Sequence, residues 1–164
     1  MPLSTIATGI SGIFETHLPV RDLATSAAFY RDRIGLTLAT EIPARNIAFF
    51  WVGAPEAGML GLWGGSSAPL NMTLHFAFRA SHEALLSACA ALTKVGITPL
   101  GFNGEPVTEP VVLGWMPALS VYFKDPDGHS IEMLHLLPDA ADAVFGTGPL
   151  SAWQSRADQA PKLP

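Results

Sequence analysis

The chain has 164 residues, 49% apolar and only 14% charged, which is enough to build a sizeable core and too apolar for intrinsic disorder. Its 14 acidic residues outnumber 9 basic ones for a net charge of -5, and no Lys/Arg cluster exists, which excludes nucleic acid as the main partner. Cys89 is the sole cysteine, so no internal disulfide is possible and a reducing compartment is expected.

The N-terminal MPLSTIATGISGIF lacks the basic start and continuous apolar stretch of a signal peptide. The longest uncharged run, 57–78, is interrupted by glycines, Pro69, Asn71 and His75, and reads as strands and a loop, not as a membrane helix. The expectation is a cytoplasmic protein with a small-molecule partner and no contact with membrane or nucleic acid.

IFETHLPV (13–20) alternates, with Phe14, Thr16, Leu18 and Val20 on one parity and Glu15, His17 and Pro19 on the other: a strand with one apolar and one polar face. Asp22 then offers a helix cap, Leu23, Ala27, Tyr30 and Ile34 form a helical apolar stripe, and Gly35 ends it. Strand-like runs follow at 36–42, 46–52 and 59–63, with a small, polar connector at 64–71. The order then repeats. MTLHFAFR (72–79) alternates, Ser81 caps a helix whose apolar face holds Leu85, Cys89 and Leu92, and Gly96 ends it. Strands are predicted at 97–102, 118–124 and 130–136, with the turn Asp125-Pro126-Asp127-Gly128 between the last two. The helix ends RIGLTLA (33–39) and KVGITPL (94–100) match, as in an internal duplication.

The fold class is therefore α+β: two tandem β-α-β-β-β modules, 13–65 and 72–136, in one domain over 1–136, followed by a C-terminal tail at 137–164. The tail is Ala- and Pro-rich and either packs on the surface or a partner chain, or frays. The proline-rich segment 103–117 is long for a strand connection, as lids often are; Glu105 and Glu109 are candidate lid acids, with surface charge the plainer reading.

Alternation also selects the candidate site. Glu15 and His17 lie on the polar face of the first strand. His75, with Thr73 and Arg79, lies opposite Leu74, Phe76 and Phe78. Glu132 lies opposite Ile131 and Met133, though Leu134 shares its side. With helices covering the apolar side of each sheet, Glu15, His17, His75 and Glu132 converge on the other side. Two imidazoles and two carboxylates suit a divalent Fe, Mn, Zn or Ni ion, and burying them with no metal or partner would be costly. Tyr122, Arg79, Trp51 and Trp63 are candidate substrate contacts, although packed aromatics and a solvated strand-end Arg are the plainer readings. His129 after its turn and His82 in a first helical turn read as solvated. His135 falls on the wrong parity for the site, and Cys89 reads as a core residue.

The duplication, together with HLPVRDLATSAAFYRDRIGL (17–36) and DPDGHSIEM (125–133), resembles the vicinal oxygen chelate superfamily of glyoxalase I, fosfomycin-resistance enzymes, extradiol dioxygenases and bleomycin-resistance proteins. The resemblance covers about 13–136 and implies paired modules forming an open, cupped mixed-sheet barrel with helices outside, a divalent metal, and a homodimer. It makes His75 the metal histidine of the second module and Glu132 the carboxylate of the last strand. The family's first ligand lies seven residues before the helix-starting Asp, which is Glu15 here, while His17 has the more usual ligand type. His75 lies 21 residues before Gly96, Glu15 20 before Gly35, and His17 only 18, which again favours Glu15 by register. Glu15 or His17 would then act as general base. Glyoxalase I carries a further Glu about where Gly61 stands. The resemblance implies a metal-dependent enzyme of isomerase, lyase, epimerase or epoxide-opening type. The alternatives are an Fe(II) extradiol dioxygenase or a metal-free sequestering protein of the bleomycin-resistance type.

Overall fold

A computed structural model describes residues 13–55, 57–65 and 72–156. The predicted connector at 64–71 lies outside the described residues beyond Gly65, as does the tail beyond Arg156. The chain divides into two compact units, 1–72 and 73–164.

In the first unit, β1 (Glu15–Val20) leads to α1 (Leu23–Ala28), capped by the Asp22 carboxylate, which accepts from the Thr25 N–H at 2.7 Å. This hydrogen bond holds the Asp22 carboxyl below its ordinary pKa. The helix widens into a π-turn over Phe29–Ile34 and stops at Gly35, whose φ of +83° favours glycine. The widening buries Phe29 beside Tyr30, beyond the predicted stripe. β2 (Thr37–Ile42), a turn at Pro43–Arg45, β3 (Ile47–Trp51) and β4 (Met59–Gly64) complete a sheet of order β1-β4-β3-β2, with β1 and β4 parallel and the other pairs antiparallel. Leu18, Val20, Ala48, Phe50, Leu60 and Leu62 face the helix and its Ala27 and Tyr30, forming the core.

The second unit repeats the plan: β5 (His75–Arg79), α2 (His82–Lys94), β6 (Val111–Leu113), β7 (Ala118–Lys124) and β8 (Ser130–Leu136). Ser81 caps α2, and Leu85, Ala88, Cys89 and Leu92 pack on β7 and β8. Burial raises the Cys89 thiol pKa, so it is an inert core group, as expected. With β9 at Thr147–Pro149, the sheet order is β5-β8-β7-β6-β9, with β5 parallel to β8.

Three expectations are corrected. The strand predicted at 97–102 shrinks to an isolated bridge from Leu100 to Tyr122 and to Pro106, because Pro99 lacks an N–H and the chain turns back at 101–104. The place beside β7 goes mainly to β6, inside the segment expected to form a lid. The lid acids are structural: Glu109 accepts from the Ser151 N–H and hydroxyl at 2.9 and 2.8 Å, and Glu105 from the Asn103 N–H at 3.0 Å. Finally, the described part of the tail, through Arg156, is built into the unit. β9 (Thr147–Pro149) pairs with β6, and α3 (Leu150–Ser155) buries Trp153.

Among the described residues no helix is long and apolar enough to cross a membrane.

Candidate metal and substrate site

The second unit brings His75, Glu132 and Tyr122 together. Parallel pairing sets Ala77 opposite Glu132, and antiparallel pairing sets Tyr122 opposite it on the other side. His75 Nδ1 lies 3.0 Å from the Ser130 carbonyl, which only accepts, so Nδ1 carries the proton and Nε2 of the neutral ring keeps its lone pair. That Nε2 is 3.4 Å from Glu132 Oε2. Two ligands held ~2.1 Å from one ion stand about 3.0–3.4 Å apart at octahedral or tetrahedral angles. The pair therefore has the spacing of ligands.

Glu132 is 4% exposed, and its Oε1 is buried with no hydrogen-bond partner among the described residues. A buried carboxylate oxygen with no donor is costly, and a cation would satisfy it. The donor set, one imidazole nitrogen and a carboxylate, fits a divalent ion of the Fe, Mn, Zn or Ni group.

Burial, reinforced by the Glu132 carboxylate it bonds, pushes the Tyr122 phenol well above its ordinary pKa. A raised phenol favours the folded state below the unfolded value of about 10 and loses that contribution as pH rises beyond it. Alkaline melting curves should therefore fall more steeply above about pH 10 in the wild type than in Tyr122→Phe, and matching curves would contradict this.

In the first unit, Glu15 and His17 form a direct pair, His17 Nε2 lying 2.6 Å from Glu15 Oε1. The imidazole lies between Phe49 and Trp63, with ring centroids at 5.9 and 5.5 Å. Beneath it is Gly61, its register partner. A Cβ at Gly61 would come within 2.6 Å of His17 Cδ2.

The registers relate the two units. Counting from the strand starts, Glu15 matches His75, and His17 matches Ala77. Opposite His17 stands Gly61, and opposite Ala77 stands Glu132. A large side chain on the first strand with glycine on the last is exchanged for a small one with glutamate. The His17 ring takes the space that a carboxylate at 61 would need. Gly61→Ala should therefore displace the ring from Glu15 at a cost of about 1–3 kcal/mol. Long-range nitrogen NMR of His17 should show its Nε2–H form in the wild type and lose it in the variant, whereas an unchanged spectrum would contradict the packing.

Among the described residues no group of three or more His, Cys, Asp or Glu side chains is close enough to hold an ion, so within each unit the predicted set comes as a pair. Trp51 and Trp63 share the face of Glu15 and His17, and Arg79 is exposed on the face of His75. His135 lies off the Glu132 face, as expected, its Nδ1 donating to the Ala80 carbonyl at 3.0 Å. Its ring centroid is 5.6 Å from that of His82, which is half-buried, not fully solvated. His129 is also corrected: it is 1% exposed, and its Nδ1 accepts from the Leu74 N–H at 2.9 Å. Asp125 Oδ1 accepts from the N–H groups of Asp127 and His129 and so closes the turn before β8. Sequence reading missed Arg45, whose guanidinium carbon lies 4.9 Å from the Trp63 ring centroid. Its place on a turn gave no periodic signal.

The sequence profile of the Glyoxalase/Bleomycin resistance protein/Dioxygenase superfamily matches residues 12–133. The chain belongs to this superfamily. Among solved structures, the integron cassette protein HFX_CASS4 from the mobile metagenome of a Halifax Harbour sewage outfall is 32% identical with a TM-score of 0.67, over 77% of this chain and 100% of that one. Lactoylglutathione lyase from Agrobacterium tumefaciens is 28% identical with a TM-score of 0.57, over 76% of this chain and 93% of that one. The fosfomycin resistance protein FosX from Mesorhizobium loti shares the fold at 18% identity and a TM-score of 0.52, over 80% and 94% of the two chains. No curated protein sequence matches the chain. Divalent metals are common in this superfamily.

Proposed function

We propose that this superfamily member is a divalent-metal-dependent enzyme acting on a small substrate that presents two oxygens, with isomerase, lyase or epoxide-opening chemistry. The single observation carrying this reading is the His75–Glu132 pair: ligand spacing, an imidazole lone pair fixed by Ser130, and a buried carboxylate oxygen lacking a donor. Glu15 occupies in the first unit the strand register that His75 occupies in the second. A bound ion would supply Lewis-acid stabilisation of negative charge developing on substrate oxygen.

The chain's own groups do the rest. His17, oriented by its bond to Glu15, takes and returns the proton at Nδ1, because Nε2 is engaged. Tyr122, kept protonated by burial, holds the Glu132 carboxylate in place. Phe49, Trp51 and Trp63 give the His17 face apolar walls that limit water around the proton transfer. The active species is proposed to be a cytoplasmic homodimer.

The test is metal content by elemental analysis after chelator-free purification, in the wild type and in His75→Ala. The wild type should hold stoichiometric metal and the variant should lose it. A wild type that stays empty after incubation with Fe(II), Mn(II), Zn(II) and Ni(II) would favour metal-free ligand sequestration.

A further inference from the structure

The first unit carries a cation that its fold places with unusual care. The turn Pro43–Arg45 starts with a proline that presets its first φ, and it ends at Asn46, a non-glycine residue at φ +55°. Asn46 accepts from the Gly64 N–H at 2.9 Å and donates its own N–H to the Pro43 carbonyl at 3.0 Å. Its side-chain amide lies so close to Gly64 that a Cβ there would be 2.5 Å from Nδ2. The turn is thereby locked to the end of β4, beside Trp63.

From this turn the exposed Arg45 side chain reaches the Trp63 indole, its guanidinium carbon 4.9 Å from the ring centroid. Arg31 pairs with Asp32, and Arg156 with Asp139 and Asp142. Arg45 has no carboxylate partner among the described residues, in a chain where acids outnumber bases 14 to 9. The same indole lies 5.5 Å from the His17 ring, and its N–H is buried with no partner among the described residues. Ile47, Phe49, Trp51, Met59 and Gly61 lie on the same sheet face. One surface thus offers flat apolar walls, a guanidinium stacked on an indole at one end, and an imidazole–carboxylate pair at the other.

A guanidinium stacked on an indole is weakly hydrated, and its N–H edge remains free to bind a carboxylate through two parallel hydrogen bonds. We propose that this face binds a planar aromatic carboxylate, with the carboxylate on Arg45 and the ring against Trp63 and Phe49, its reacting end toward His17. This rests on the reading of the Glu15–His17 face as part of the active site and names the substrate class that reading leaves open.

Benzoate and its neutral isostere benzamide are the probes, titrated into the full chain while the Trp63 indole N–H is followed by NMR. Benzoate should bind the wild type about tenfold more tightly than benzamide. Arg45→Gln should bring the ratio close to one, and Arg45→Lys, which keeps the charge and loses the planar fork, should fall between. A ratio near one in the wild type, or a preference that persists in Arg45→Gln, overturns the proposal. Metal content measured on the same samples separates the two readings. Arg45-dependent benzoate preference in a protein that takes up no metal would leave the substrate class standing and remove the metalloenzyme, while metal uptake with no such preference would do the reverse.

Discussion

Glu132→Gln should abolish metal retention while leaving the metal-free protein as stable as the wild type, or more stable. The carboxylate is 4% exposed and its Oε1 lacks a donor, so in the absence of an ion the charge is a burden on the fold. Glutamine keeps the size, removes the charge and adds a donor. Apo-protein stability should therefore change by less than ~1 kcal/mol or rise. Metal affinity should fall by more than the 10–100-fold typical of losing an outer-shell partner, since a direct ligand is removed. Thermal melts with and without Mn(II) or Zn(II) measure both effects. Wild type should gain stability with metal, by RT ln(1 + [L]/Kd), and the variant should not. A Glu132→Gln protein that is strongly destabilised without metal would show that Glu132 holds the fold and not an ion.

The second large effect is expected far from the ligands. Trp153 is 2% exposed, stacks edge-on with Phe145 at 4.9 Å, and is covered by Arg156 at 3.2 Å. Arg156 is fixed in turn by Asp139 at 2.8 Å. These residues lie after the stretch matched to the superfamily, which ends at residue 133. Gly114 admits the crossing chain: a Cβ there would be 2.3 Å from the Asp142 carbonyl oxygen. Truncating a buried tryptophan typically costs 3–5 kcal/mol, and Trp153→Ala should destabilise the second unit by about that amount, visible as a lower denaturation midpoint at unchanged slope. If the variant melts like the wild type, the C-terminal segment is not part of the folded unit. A chain cut after residue 136 should lose the β9 pairing of β6 along with this core.

Much of this architecture was legible because period-two alternation and helical stripes survive in the sequence. β1, α2, β7 and β8 appear within a residue or two of where alternation and the glycine stops place them. The candidate faces also follow from parity, since Glu15, His17, His75 and Glu132 each fall on the side it assigns. What escaped depended on long-range contacts. His129 looks like a solvated residue after a turn, and only the return of β8 beside Leu74 supplies the N–H that buries it. The strand at 97–102 has suitable residues but loses its ladder to Pro99 and to β6. The tail has weak periodicity because β9 spans only Thr147–Pro149 and α3 buries a single large side chain, Trp153. Register counting favoured Glu15 over His17. Strand pairing adds the reason for the substitution, since His17 occupies room that Gly61 leaves.

The most direct test of the metal-enzyme account is anomalous scattering from crystals grown with Mn(II). The account predicts a peak bonded at about 2.0–2.2 Å to His75 Nε2 and a Glu132 carboxylate oxygen, with His75 Nδ1 still on the Ser130 carbonyl. Crystals at saturating metal that show no peak at these two side chains, with His75 and Glu132 bonded only to each other, would contradict it.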